Sequence, residues 1–105
     1  MVVEVVVENI NKRTVIVANE DNDYLSCNGK ESLFSGELFI ERLIPIVVNW
    51  NDVMINNSVL DGVRYSIKIK NNGKERTIIG KNIYPINYRE FSGLIAEVEN
   101  YEINS

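Results

Sequence analysis

The chain has 105 residues, of which 45% are hydrophobic and 25% charged, and a formal net charge of −4 at pH 7. These are the values of one globular domain, and they exclude a disordered, collagenous or disulfide-stapled chain. There is no histidine and a single cysteine, Cys27. That removes the commonest general base and metal ligand, and with them an internal disulfide or a multi-thiolate metal site. No cofactor and no metal are expected.

Residues 2–8, VVEVVVE, and 13–19, RTVIVAN, read as two β-branched strands joined by a turn over 9–12. Both carry apolar residues on both faces. Val3, Val5 and Val7 oppose Val2 and Val6 in the first; Val15 and Val17 oppose Ile16 and Ala18 in the second. Such strands are central, or one face meets a partner. Glu20 to Asp23 is an acidic turn, Tyr24 to Cys27 a short edge strand, and Asn28-Gly29 a turn.

From Ser35 the period changes. Phe39, Leu43, Ile46, Val47, Trp50, Val53 and Met54 recur at helical spacing. Ser35 is placed to cap the helix and Glu37 to favour its positive end. Pro45 removes a backbone donor inside that stretch, which predicts a kinked helix or two short helices meeting near Ile44. Residues 63–70, VRYSIKIK, alternate cleanly: Val63, Tyr65, Ile67 and Ile69 point inward, and Arg64, Ser66, Lys68 and Lys70 outward. Asn71-Asn72-Gly73 predicts a hairpin, with 74–79 returning antiparallel and Gly80 ending that strand. Asn87 is placed to cap a last helix, whose stripe is Tyr88, Phe91, Leu94, Ile95 and Val98. Gly93 within it is read as allowing close packing on the sheet, and residues 100–105 as fraying. The 15 asparagines fall mostly between these periodic segments, where their turn preference fits.

The expected fold is α+β: one domain over 1–105, an antiparallel sheet of four to five strands, and two helices on one face, in the order ββαββα. The start, Met1-Val2-Val3-Glu4, has no basic stretch ahead of an apolar run, so no signal peptide is expected. Leu38 to Val48 is about half the roughly 20 residues of a membrane span. A cytoplasmic protein with no membrane partner is expected.

The second half resembles a pattern of small uncharacterised bacterial proteins. It is carried by Trp50, then Leu60-Asp61-Gly62 with Tyr65, Ile67 and Ile69, then Gly80, Asn82, Tyr84-Pro85, Asn87 and Phe91. The resemblance covers about half the chain. It implies a turn, a half-buried strand and a loop that delivers a capped helix, and it carries no activity and no functional residue. Pro45 in the first helix departs from it.

The charge is uneven. Residues 1–52 hold nine acidic and four basic side chains, whereas 53–105 hold six and seven. Two candidate surfaces follow. Glu20, Asp21, Asp23, Glu31, Glu37 and Glu41 form an acidic set that could mimic nucleic acid and cover a basic groove of another protein. Glu20, Asp21 and Asp23 lack the glycine and distal glutamate of a calcium loop, so a solvated acidic turn is the plainer reading. Arg64, Lys68, Lys70, Lys74 and Arg76 form a basic set on the second hairpin, suited to phosphate backbones. Its plainer reading is an exposed sheet face whose charges pair across strands with Glu4 and Glu8. Tyr65 alternates with the bases and so faces away from them, which weakens a base-stacking surface. Gly80-Lys81-Asn82 is too short for a phosphate loop. Cys27 has no base to activate it, and Trp50, Tyr84 and Tyr88 are interface anchors only if exposed.

No set of catalytic groups is evident, so a non-enzymatic module that binds another protein is expected. A small inhibitor from a bacterial or phage conflict system, an immunity or counter-defence protein, is one such form. Nucleic-acid binding through the 63–79 hairpin is the alternative. Either a monomer or a homodimer through Val2 and Val6 fits the pattern.

Overall fold

The computed structural model describes residues 1–58 and 62–101. The expected turn at Leu60 and Asp61 and the last four residues of the expected frayed tail lie outside them. The elements are β1 (Val2–Asn9), β2 (Lys12–Asn19), β3 (Tyr24–Cys27), β4 (Lys30–Ser35), α1 (Gly36–Val47), β5 (Val53–Ile55), β6 (Arg64–Asn71), β7 (Lys74–Lys81) and α2 (Tyr88–Asn100). The class is α+β, but the sheet is larger than the periodicity suggested. It has seven strands in the order β4-β3-β2-β1-β6-β7-β5. All neighbours are antiparallel except β5 and β7, which run parallel.

Two elements account for the difference. Residues 30–35, KESLFS, have only two large apolar side chains, yet they alternate, with Ser32 and Phe34 buried and Glu31 and Leu33 exposed. The chain forms β4 there by pairing with β3. Val53 and Met54 continue the helical stripe in sequence, but α1 ends at Val47 and they form β5 beside β7. A three-residue strand is too short to show a period, so only its neighbour defines it.

Helix α1 starts as expected: the Leu38 N–H donates to Ser35 Oγ at 3.1 Å, and Glu37 sits in the first turn. It is one continuous helix, not two short ones. Pro45 lies in its last turn and on the solvent side, as does Glu41, whose carbonyl the missing N–H would have met. Water can satisfy that carbonyl, so the lost bond costs little. Asn87 occupies the N-cap position of α2, but in the left-handed region (φ 69°) and without a side-chain hydrogen bond; its carbonyl accepts the Phe91 N–H at 3.1 Å. Gly93 faces open space and is exposed, so it allows no closer packing. Asn28-Gly29 and Asn72-Gly73 have positive φ at both positions, as tight antiparallel hairpins with the native twist require.

Both helices cover the same sheet face. Val3, Val5, Ile16, Ala18, Leu25, Cys27, Phe34, Tyr65, Ile67 and Ile78 point into it and meet Phe39, Leu43 and Val47 of α1 and Phe91, Leu94, Ile95 and Val98 of α2. Arg42 of α1 donates to Glu97 of α2 across an N–O distance of 2.8 Å, and this bond holds the Glu97 carboxyl below its ordinary range. The Leu33 N–H donates to the Tyr101 carbonyl at 3.1 Å, which fastens the end of α2 to the β4 edge.

Four aromatic side chains from α2, β6 and the segment after α1 form one cluster. Trp50, Tyr65, Tyr88 and Phe91 lie with ring centroids 5.4–6.4 Å apart. The Trp50 indole donates to Ile86 O at 2.9 Å and the Tyr65 hydroxyl to Ile83 O at 2.7 Å. Both polar handles thus pin the segment between β7 and α2. Gly80 does not end β7, which runs on to Lys81. Its role is space: a Cβ there would lie 2.0 Å from the Tyr65 ring.

Candidate functional site

Helices on one face leave the other face of the sheet without a covering layer. Antiparallel sheets commonly face water on one side, with polar residues there. This face is mixed. Val2, Val6 and Val15 are half-buried on it, and Val17, Leu33, Val53, Ile55, Ile79 and Tyr24 are exposed. Strand register shows how they are arranged. Val6 sits opposite Val15 on one side and Ser66 on the other, Ser66 opposite Ile79, and Ile79 opposite Val53. One row across five strands is therefore apolar except at Ser66. Beside it, Val6, Ile55 and Ile79 contribute to a shallow groove of 290 Å³ whose rim holds Glu8, Arg64 and Lys81.

Neighbouring β1 and β6 contribute opposite charges to this face, whereas β7 contributes both signs, Glu75 and Lys81. β1 contributes Glu4 and Glu8; β6 contributes Arg64, Lys68 and Lys70. Glu4 is in register with Lys68 and Glu8 with Arg64, which is the cross-strand pairing the plainer sequence reading anticipated. Lys68 Nζ also lies 3.9 Å from Glu75, and Arg13 3.7 Å from Glu8.

The expected basic set is only partly assembled. Arg64, Lys68 and Lys70 share the uncovered face, joined by Lys81, which pairs in register with Arg64. Lys74 and Arg76 have the opposite parity on β7 and point to the helix side. Lys74 is exposed at the hairpin tip. Arg76 reaches the end of α1 and donates to Trp50 O (2.5 Å), Val48 O (3.3 Å), Val47 O (3.5 Å) and Asp52 Oδ1 (2.9 Å). α1 has no basic residue in its own last turn, so Arg76 supplies the cation that its negative end favours. The sequence missed this because β7's parity is set by its pairing with β6, not by its charge pattern.

The acidic set is more nearly gathered. The 20–23 turn lies against the start of α1: Gly36 N–H donates to Asp23 O at 3.4 Å, and a Cβ on Gly36 would lie 2.8 Å from Asn19 O. Glu20, Asp21, Asp23 and Glu37 therefore occupy one corner, with Glu41 one turn further along α1. Glu20 pairs with the Met1 amino group. Glu31 is apart from them. It pairs in register with Ser26, at the other end of β4, on the uncovered face. Tyr24 stands between that face and the acidic corner.

Of the aromatic anchors, Trp50 is buried in the core, Tyr88 half-buried, and Tyr84 exposed with its ring edge-on to Tyr88 at 4.9 Å. Burial, with Tyr88 and Tyr84 close by, pushes the Tyr65 hydroxyl up to about 12. Cys27 is fully buried. Among the described residues no three metal-ligating side chains cluster, and no helix is long and apolar enough to cross a membrane.

The surface that sequence reading missed is the apolar row itself. Its signal was present in the doubled apolar faces of β1 and β2 and in Ile78-Ile79, but Val53 and Ile55 could not be added to it while residues 53 and 54 read as helix. Compared with known proteins, the chain matches no family model, no curated protein and no solved structure.

Proposed function

We propose that this protein is a non-enzymatic binding module whose contact surface for other protein is the uncovered sheet face. The observation that carries this reading is the apolar row Val53–Ile79–Val6–Val15, with Val17 and Ile55 beside it. Exposed apolar residues scattered singly are ordinary, but four aligned on one face and interrupted only at Ser66 mark an interaction site. The acidic corner of Glu20, Asp21, Asp23 and Glu37, where the β2–β3 turn meets the start of α1, favours a partner with a basic surface. A protein that covers such a surface acts as a small inhibitor, the form expected for an immunity or counter-defence protein. Nucleic-acid binding is less well supported, because Glu4, Glu8 and Glu75 interleave with the bases of the face and neutralise the field that phosphates need.

The test is capture of partners from host lysate, with nuclease, by the wild-type chain and two variants. Ile79→Glu places a charge in the apolar row, and Asp21→Lys with Asp23→Lys reverses the acidic corner. Loss of the same protein with Ile79→Glu, in a variant whose melting curve is unchanged, supports the face. Equal recovery by all three chains refutes the surface, and recovery that depends on nucleic acid moves the function to Arg64, Lys68 and Lys70.

A further inference from the structure

We propose that the uncovered face is occupied by a second copy of this chain, packed face to face about a two-fold axis that runs parallel to the strands between β1 and β6. This rests on the reading of that face as a protein-contact surface, and it names the occupant.

The first argument is shape. The molecule measures 40 × 34 × 20 Å. It is a slab of one sheet and one helix layer, and packed layers sit about 10 Å apart. Its broad face is ample for the roughly 800 Å² per partner that a standard interface covers. Stacking two such faces gives a four-layer assembly with helices outside and both sheets inside.

The second argument is charge. On this face β1 carries acids only, Glu4 and Glu8, and its neighbour β6 carries bases only, Arg64, Lys68 and Lys70. A two-fold axis between the two strands lays β1 on the partner's β6 and keeps every residue in its row. Glu4 then faces the partner's Lys68, and Glu8 the partner's Arg64. β2 falls on the partner's β7, so Val15 faces the partner's Ile79. Each contact occurs twice by symmetry. Val6 faces the partner's Ser66, so Val6, Ser66, Val15 and Ile79 form the middle of the interface, and Val2 faces the partner's Lys70 at its exposed end.

The same pattern selects against neighbouring arrangements. Moving the axis onto β1 stacks Glu4 and Glu8 on their own copies. Moving it onto β6 stacks Arg64, Lys68 and Lys70 on theirs. Like charges brought together at an interface are a strong penalty, so of these three positions the one between the strands sets the acids of β1 on the bases of β6. Arg13 over the partner's Lys81 is a like-charged opposition in this register. It falls at strand ends, where solvent screens it.

The test is a charge exchange. One chain carries Glu4→Lys and Glu8→Lys, and the other Arg64→Glu and Lys68→Glu. Mass is measured by light scattering across a concentration series. The wild type is expected at twice the chain mass. Each exchanged chain alone is expected as a monomer over the same range, and an equimolar mixture is expected to recover the dimer. Circular dichroism and melting curves establish that each chain folds. If an exchanged chain does not fold, Ile79→Arg in the otherwise native chain takes its place and is expected to be monomeric. A wild type that stays monomeric at millimolar concentration overturns the proposal, as does a dimer that persists in both exchanged chains. If the wild type is monomeric while Ile79→Glu still loses a captured protein, the second copy is wrong and the contact surface stands. If the dimer forms and Ile79→Glu loses no captured protein, the face serves self-association alone.

Discussion

Replacing Arg76 with alanine removes four contacts at once, to Asp52 Oδ1 and to the carbonyls of Trp50, Val48 and Val47. Each hydrogen bond from a charged donor contributes about 1.5–3 kcal/mol where it is well buried. The cation at the helix C-terminus adds ~0.3–1 kcal/mol. The side chain is 34% exposed, Asp52 is 67% exposed, and two of the distances are long, so the contacts do not sum. A loss of about 2–3 kcal/mol is expected, which for a domain of this size lowers Tm by roughly 10–20 °C. Arg76→Lys keeps the charge but not the planar fork, and it should recover less than half of the loss. Lys74→Ala serves as the control and should stay within about 0.5 kcal/mol of wild type, as exposed substitutions do. The assay is urea unfolding followed by tryptophan fluorescence, because Trp50 lies next to the site. If Arg76→Ala costs no more than Lys74→Ala, Arg76 is a surface base like the others, and the helix-end role assigned to it is wrong.

Two further outcomes follow from the structure. Gly93 is exposed within α2 and an added Cβ meets nothing, so Gly93→Ala should raise stability by about 1 kcal/mol; a lower Tm would show that the glycine has a partner. The Tyr65 hydroxyl, pushed up to about 12 by burial first and by Tyr88 and Tyr84 second, favours the neutral form in the folded chain. Its contribution is therefore complete below pH ~10, the unfolded value, and is lost as pH rises towards 12. Burial also raises the Tyr88 hydroxyl, so absorbance at 295 nm should show these two tyrosines ionising late, together with alkaline unfolding, and the late step should shrink by one tyrosine in Tyr65→Phe. Ionisation of all tyrosines near pH 10 in the folded protein would contradict the buried geometry.

Much of the fold was legible in the residues. β1 and β2 followed from their β-branched runs, β6 from period-two alternation, and β7 from the hairpin turn before it. The Asn-Gly turns and the Ser35 cap followed from local backbone chemistry, and both helices from their apolar stripes. What was missed depended on contacts distant in sequence. β4 has too few large apolar residues to declare itself, and β5 is too short. Each exists because a neighbouring strand offers it a ladder of hydrogen bonds. The site divides in the same way. Alternation along β6 put Arg64, Lys68 and Lys70 on one face and Tyr65 on the other, and doubled apolar faces in β1 and β2 suggested a second contact surface. That Arg76 leaves the basic face for the end of α1, and that Glu31 stands apart from the other acids, required the pairing of β7 with β6 and of β4 with β3.

The sequence by itself determined the class of the domain, the places where the chain turns, and which side of most strands faces the core, because these rest on local propensity and on burial of apolar side chains. Only the tertiary structure decided the strand order, the addition of β4 and β5 to the sheet and the row Val53–Ile79–Ser66–Val6–Val15. A row across five strands joins residues as far as 60 positions apart in neighbouring strands, Val6 and Ser66, and no periodicity within one segment can encode which strand lies beside which.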